Sequence, residues 1–235
     1  MFETKRSFRS LRAVWLVTAG LLLTANVFAA KPPEVSHDGL HLVPDTKLDL
    51  VYLKPGADFS IYQRIVLLEC AVAFKKNWQR DQNSSDPFRV SKKDMDDIRA
   101  KLAELFGEVM RDELSKNGLM PLVDAAGEDV LILRPAIVDL EIAAPAAADM
   151  SAGRSYTFAT STGAMTLYME FYDGATGEIV ARIADRKAGS NSSRMMWQNA
   201  VTNRADAERI IRGWAVTLRE GLERVKTMSV PVVPQ

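Results

Sequence analysis

Between Ser91 and Asn117 apolar residues recur every three or four positions: Met95, Ile98, Leu102, Leu105, Phe106, Val109, Met110 and Leu114. That spacing sets all eight on one face of an α-helix and leaves charged residues on the other. Ser91 stands where an N-cap belongs, and Asp94 three residues later resembles the partner of a capping box. Gly118 then supplies a left-handed stop. Burying eight such side chains would contribute roughly 12–24 kcal/mol of transfer free energy as an upper bound. A face of that size must be covered, so the rest of the chain has to supply a surface for it.

The rest of the chain reads mainly as strands. "RIVLLECAVAF", Arg64 to Phe74, is continuously apolar and reads as one strand buried on both faces. "KKNWQRDQNSSDPFR", Lys75 to Arg89, reads as a loop by composition. A short strand is expected at Leu119 to Asp124 and a longer one at Val130 to Ala143, where Pro135 argues for an edge position or a bulge. In "TGAMTLYMEFYD", Met165, Leu167, Met169 and Phe171 alternate with Thr166, Tyr168, Glu170 and Tyr172. In "EIVARIADRK", Ile179, Ala181 and Ile183 share one face and Arg182 and Arg186 the other. The last helix is expected to be capped by Asn203 and to bury Ala207, Ile211, Trp214, Leu218, Leu222 and Val225. The order gives an α+β fold: a two-layer sandwich with a mostly antiparallel sheet and the long central helix and C-terminal helix on one face.

Asp173-Gly174-Ala175-Thr176-Gly177-Glu178 has the look of an ion or phosphate loop. A calcium loop needs oxygen ligands at alternate positions and a glutamate at its twelfth. A P-loop needs a lysine after its last glycine, where Glu178 stands. The stretch fits a hairpin turn instead, with Asp173 bonding the turn backbone and Gly177 taking a positive φ.

The chain opens like an export signal. Lys5, Arg6, Arg9 and Arg12 precede an uncharged run from Ala13 to Leu23 and a small-residue end, "TANVFAA". Val27 and Ala29 suit a signal peptidase, so cleavage after Ala29 is expected. The apolar run is shorter than the roughly 20 residues of a membrane span, so no transmembrane span is expected after cleavage. The one cysteine, Cys70, is far from the cleavage point, which excludes lipid attachment there. The expected organisation is a signal peptide at 1–29, a flexible leader at 30–47, one α+β domain at 48–228 and an extended tail at 229–235. Removing four basic and one acidic residue with the signal leaves 26 basic and 29 acidic. That balance carries no nucleic-acid-binding signature.

Four stretches carry a family resemblance: "IRAKLAELFGEVMRDEL", "LVDAAGEDVLILRPAIVDLEI", "LYMEFYDGATGEIVARIADRKAG" and "AVTNRADAERIIRGWAVTLREGL". In that order they resemble the bacterial domain-of-unknown-function 3313 family, from about Asp38 to Lys226. The resemblance implies an exported envelope protein, in many members a lipoprotein, with no catalytic motif to carry over. This chain departs in lacking the lipid-bearing cysteine.

The residues themselves point the same way. His37 and His41 are the two histidines, and Gly39 between them and Pro44 after them oppose the helix that would pair them on a metal. No metal and no cofactor is expected. Neither histidine sits on a core element, as a catalytic triad requires. Asp94, Asp96 and Asp97 are accounted for by a helix N-terminus. Catalysis is therefore not expected. The candidate interaction surface is Lys75, Lys76, Trp78 and Arg80, then Arg182, Arg186 and Lys187 carried outward by the hairpin, and Trp197 beside two methionines. The expected partner is an envelope protein or a glycan. The alternative is a hydrolase or small-ligand protein using Asp185, Arg186 and Lys187 at a strand end, which needs a concave pocket. Oligomeric state is left open.

Overall fold

The computed structural model describes residues 31–85, 89–116, 120–142, 157–159, 163–188, 196–198 and 200–227. The chain divides at Pro32 and Pro33 into two units. The stretch expected to be a signal peptide and the stretch expected to be an extended tail lie outside the described residues, and the fold is that of the second unit. In chain order its elements are β1 (His41–Leu42), β2 (Leu50–Leu53), β3 (Arg64–Leu67), β4 (Ala71–Phe74), α1 (Trp78–Ser85), α2 (Lys92–Leu114), β5 (Val130–Ile142), β6 (Thr157–Ala159), β7 (Gly163–Asp173), β8 (Ile179–Ala188), β9 (Met196–Gln198) and α3 (Ala200–Thr227). A 3-10 turn spans Phe59–Ile61.

The fold is α+β. Among the described residues seven strands form an open sheet in the order β1-β2-β8-β7-β5-β3, with β4 also pairing along β5. Every pairing is antiparallel except those of β3 and β4, which run parallel to β5. β6 and β9 pair separately. Met165, Leu167, Met169 and Phe171 of β7 are buried together with Leu131, Leu133 and Ile137 of β5. The same core takes in Leu105, Phe106, Val109 and Met110 of α2 and Ile211, Trp214 and Leu218 of α3. Both helices thus cover one face of the sheet, and the amphipathic stripe of α2 finds the surface it requires. Ser91 and Asp94 close the expected capping box. Ion pairs Glu108–Arg204, Asp112–Arg212 and Glu113–Arg219 advance along both helices together, so α2 and α3 run in the same direction.

Five local readings are corrected. The strand expected at 64–74 breaks into β3 and β4, because of Pro135. Leu68 N–H donates to the Leu133 carbonyl while Gly174 N–H donates to the Val130 carbonyl, so odd-numbered β5 residues turn their backbone polar groups away from β7. Pro135 faces the gap between β3 and β4, where its missing N–H leaves no ladder bond unmade. It lies neither at an edge nor at the β5 bulge, which falls between Val138 and Glu141 where Asp139 takes φ +50°. The stretch 75–89 holds α1 rather than only loop. Asn83 fixes it by accepting from Val90 N–H at 2.7 Å and donating to the Val90 carbonyl at 3.0 Å. Of the strand expected at 119–124, residue 119 lies outside the described residues, and residues 120–124 hold an isolated bridge from Leu122 to Ile65 in its place. α3 begins at Ala200, which puts Asn203 within its first turn.

The segment read as a leader is also tied down from Pro33 onward. Val35 bridges His41, Gly39 takes φ +80° in the turn between them, and Leu40 is 1% exposed. This small hairpin carries β1 to the sheet edge, and the Tyr52 hydroxyl donates to the Pro33 carbonyl at 2.7 Å.

Candidate functional site

The sheet face turned away from the helices is polar, aromatic and charged. Strand register sets Tyr52, Arg182, Glu170 and Arg134 side by side on β2, β8, β7 and β5. Alternation along β7 adds Thr166, Tyr168 and Tyr172 to the same face. At the centre of the row Glu170 is 6% exposed and Arg182 7%. Two charges are held out of water there, which is costly unless both are paired.

The pairing of Glu170 is complete. Its Oε1 accepts from the Tyr168 hydroxyl at 2.9 Å and from Arg182 at 3.2 Å. Its Oε2 accepts from the Tyr172 hydroxyl at 2.7 Å and from Arg134. Burial alone would push this carboxyl up, but the tyrosine hydroxyls and the two arginines hold it below its ordinary value. All four lone-pair positions are taken, so Glu170 has none left to accept a proton from a bound molecule. Arg182 also donates from Nη1 at 3.1 Å, and from Nη2, to Asp38 in the turn of the N-terminal hairpin. The Arg182 guanidinium, and then the Ser36 hydroxyl, hold the Asp38 carboxyl down to about 2. Arg182 Nε is buried and has no hydrogen-bond partner among the described residues. Arg134 differs, since its side chain is 58% exposed and spends one nitrogen on Glu170 while lying over the Tyr172 ring, 5.3 Å from its centroid.

A family model described as a protein of unknown function, DUF3313, matches residues 40–218. The chain belongs to the DUF3313 family. No curated protein matches it by sequence. Its fold is similar to the PelC dodecamer subunit from Paraburkholderia phytofirmans, at 11% identity and a TM-score of 0.37, over 72% of this chain and 96% of that one. It is similar to a Xanthomonas campestris protein of family DUF330 at 8% identity and a TM-score of 0.38, over 74% and 88%. Likeness this slight says nothing about what the DUF3313 chain binds or how it assembles.

The expected interaction residues of this DUF3313 chain fall in different places. Lys75 and Arg186, from separate stretches, converge on Glu141: Lys75 Nζ donates to Oε2 at 3.0 Å and Arg186 to Oε1 at 2.7 Å. Lys76 and Arg80 are exposed, and Arg80 pairs with Asp81. Trp78 is buried, stacked on Phe74 with centroids 4.5 Å apart. Arg182, expected to point outward, is the buried centre of the row. Lys187 turns to Asp185 at 2.9 Å. The side chain of Trp197 lies outside the described residues. Asp185 is 1% exposed on the helix side, accepting from Trp214 Nε1 at 2.7 Å and from Asp49 N–H at 3.0 Å. Its role there is to bind α3 to β8.

Sequence reading missed Asp38, Arg134, Glu170 and the tyrosines as a group. The alternation in β7 had put Tyr168, Glu170 and Tyr172 on one face, and Arg182 faced away from Ile183. Lacking was the register that aligns three strands and a hairpin 144 residues distant from Arg182. Burial pushes the Cys70 thiol up to about 12, in keeping with an inert core residue. Among the described residues no group of three or more His, Cys, Asp or Glu side chains could hold a metal ion. None of the described helices is long and apolar enough to cross a membrane.

Proposed function

We propose that this is an exported, envelope-associated protein that binds another envelope component, a glycan or a protein, and catalyses no reaction. The observation that carries the binding reading is the row Arg182–Glu170–Arg134 on the helix-free face of the sheet. Its carboxylate is saturated by four donors, so the row is a fixed surface rather than a proton-transfer device. Arg134 retains unspent donors beside the half-buried rings of Tyr168 and Tyr172, a combination suited to polar ligands. Export rests on the basic, apolar and small-residue blocks of residues 1–29. The hydrolase alternative loses support because Asp185 is committed to Trp214, Lys187 and Asp49.

Two measurements test this. Mass spectrometry of the chain recovered from fractionated cells should find it in the envelope or periplasm beginning at Ala30. Intact chain in the cytosol would remove the export half. Immobilised protein should retain a component of envelope extract that an Arg134→Ala, Tyr172→Ala variant of unchanged melting temperature does not. Equal recovery on both would show that this face is not the binding surface.

A further inference from the structure

We propose that Arg182 is an anchor for the carboxylate of an acidic sugar, and that Asp38 of the N-terminal hairpin occupies it as an internal stand-in. This rests on the reading of the helix-free face as the binding surface. Four observations converge on it. Asp38 engages Arg182 through two nitrogens, the side-by-side arrangement by which a guanidinium grips any carboxylate. Arg182 Nε is buried and has no hydrogen-bond partner among the described residues, so the guanidinium has a donor that the hairpin leaves unused. Glu170 holds Arg182 from the sheet side, which fixes the guanidinium whether or not the hairpin is docked. The hairpin joins the sheet at its outermost edge, through a two-residue strand opposite Tyr52 and Leu53 and the Val43 N–H bond to the Val51 carbonyl, so it can lift without breaking any other strand pairing.

The surroundings favour a sugar over a peptide. Arg182 lies over the Tyr168 ring, 5.8 Å from its centroid, with Tyr52 beside it on the neighbouring strand. Tyr52 is covered, with its hydroxyl on the Pro33 carbonyl of the same hairpin, so lifting the hairpin frees its ring and hydroxyl together with Arg182, a pair suited to the face and carboxylate of a hexuronate. Because Asp38 is tethered, it competes at the high effective concentration of an intramolecular ligand. Any external carboxylate binds with an apparent affinity reduced by the fraction of molecules whose anchor is free.

That competition fixes the sign of the test. Galacturonate oligomers are titrated calorimetrically against the wild type, Asp38→Asn and Arg182→Gln, with galactose oligomers as the uncharged control. Asp38→Asn weakens the internal competitor and is expected to bind at least about tenfold more tightly than the wild type. Arg182→Gln is expected to lose binding, and galactose oligomers to bind none of the three. A purely structural Asp38 would give Asp38→Asn equal or weaker binding, and that outcome overturns the proposal. So would stronger binding of a poly-glutamate peptide than of the uronate. If Asp38→Asn does not fold, hydrogen exchange of the wild type decides: uronate should speed exchange at residues 35–42, and binding with unchanged exchange there refutes displacement. A wild type that binds envelope components through Arg134 yet passes neither test would retire this inference and leave the binding surface standing.

Discussion

Two glycines of one turn are needed for different reasons. Gly177 has φ +71° and nothing within 4 Å of where a Cβ would stand, so its demand is conformational. At Gly174 a Cβ would meet the Val130 carbonyl oxygen at 2.6 Å and that of Gly127 at 2.7 Å, so its demand is space. Asparagine tolerates the left-handed region. Gly177→Asn should therefore leave the melting temperature nearly unchanged, whereas Gly174→Asn should cost about 1–3 kcal/mol of overpacking. Equal losses in thermal denaturation would contradict the distinction. Asp38 supplies a prediction in pH. Its carboxyl titrates at about 2 in the fold against an ordinary 3.8, so it contributes stability above 3.8 that is lost as pH falls toward 2. The stability gap between the wild type and Asp38→Asn should be constant near neutrality and close between pH 4 and pH 2. Denaturant midpoints measured across that range check it, and a gap undiminished at pH 2 would show that the charge on Asp38 is not its source.

Elements were legible where burial is one-sided and periodic. All but one of the eight apolar residues of α2 are buried, Ile98 being half-buried, and the burial alternation of β7 holds from Met165 to Met169, breaking at the buried Glu170. Legibility failed where a contact distant in sequence decides. α1 has the composition of a loop and is held by Asn83 and Gln79 to the backbone of Val90. The break between β3 and β4 is set by Pro135, more than sixty residues later. The join between α3 and β8 is another such contact. Trp214 fits the expected apolar stripe, yet its Nε1–H reaches the buried carboxylate of Asp185. Trp214→Phe keeps most of the buried ring and removes that donor, for an expected loss of about 1–3 kcal/mol. In an Asp185→Leu background the same substitution should cost markedly less, because no buried acceptor is left unsatisfied. Matching losses in both backgrounds would assign the effect to packing alone.

At the scale of the whole molecule, the N-terminal hairpin decides where the fold begins. Residues 33–42 look like a leader in sequence because they are short, polar and hold Gly39 near two prolines. Their ordering depends on two contacts with β8 and β2 that no local pattern encodes: Asp38 on Arg182, and the Pro33 carbonyl on Tyr52. Leu40 adds a fully buried side chain, and Leu42 N–H returns to the Glu34 carbonyl at 2.8 Å to close the hairpin. A chain beginning at Val43 would lose all of these and leave Arg182 paired with Glu170 alone. Losing the hydrogen bonds to a charged partner costs roughly 1.5–3 kcal/mol, and the lost leucine adds about 2 kcal/mol. Against a total stability of roughly 5–15 kcal/mol, a chain spanning 43–235 should be largely destabilised in denaturant titration, while one spanning 33–235 should match 30–235. Asp38→Asn should fall between them, since it keeps Leu40 and the hairpin bonds. Equal midpoints for the 43–235 and 33–235 chains would show that residues 33–42 are an appendage, and that Arg182 is stable in the sheet without them.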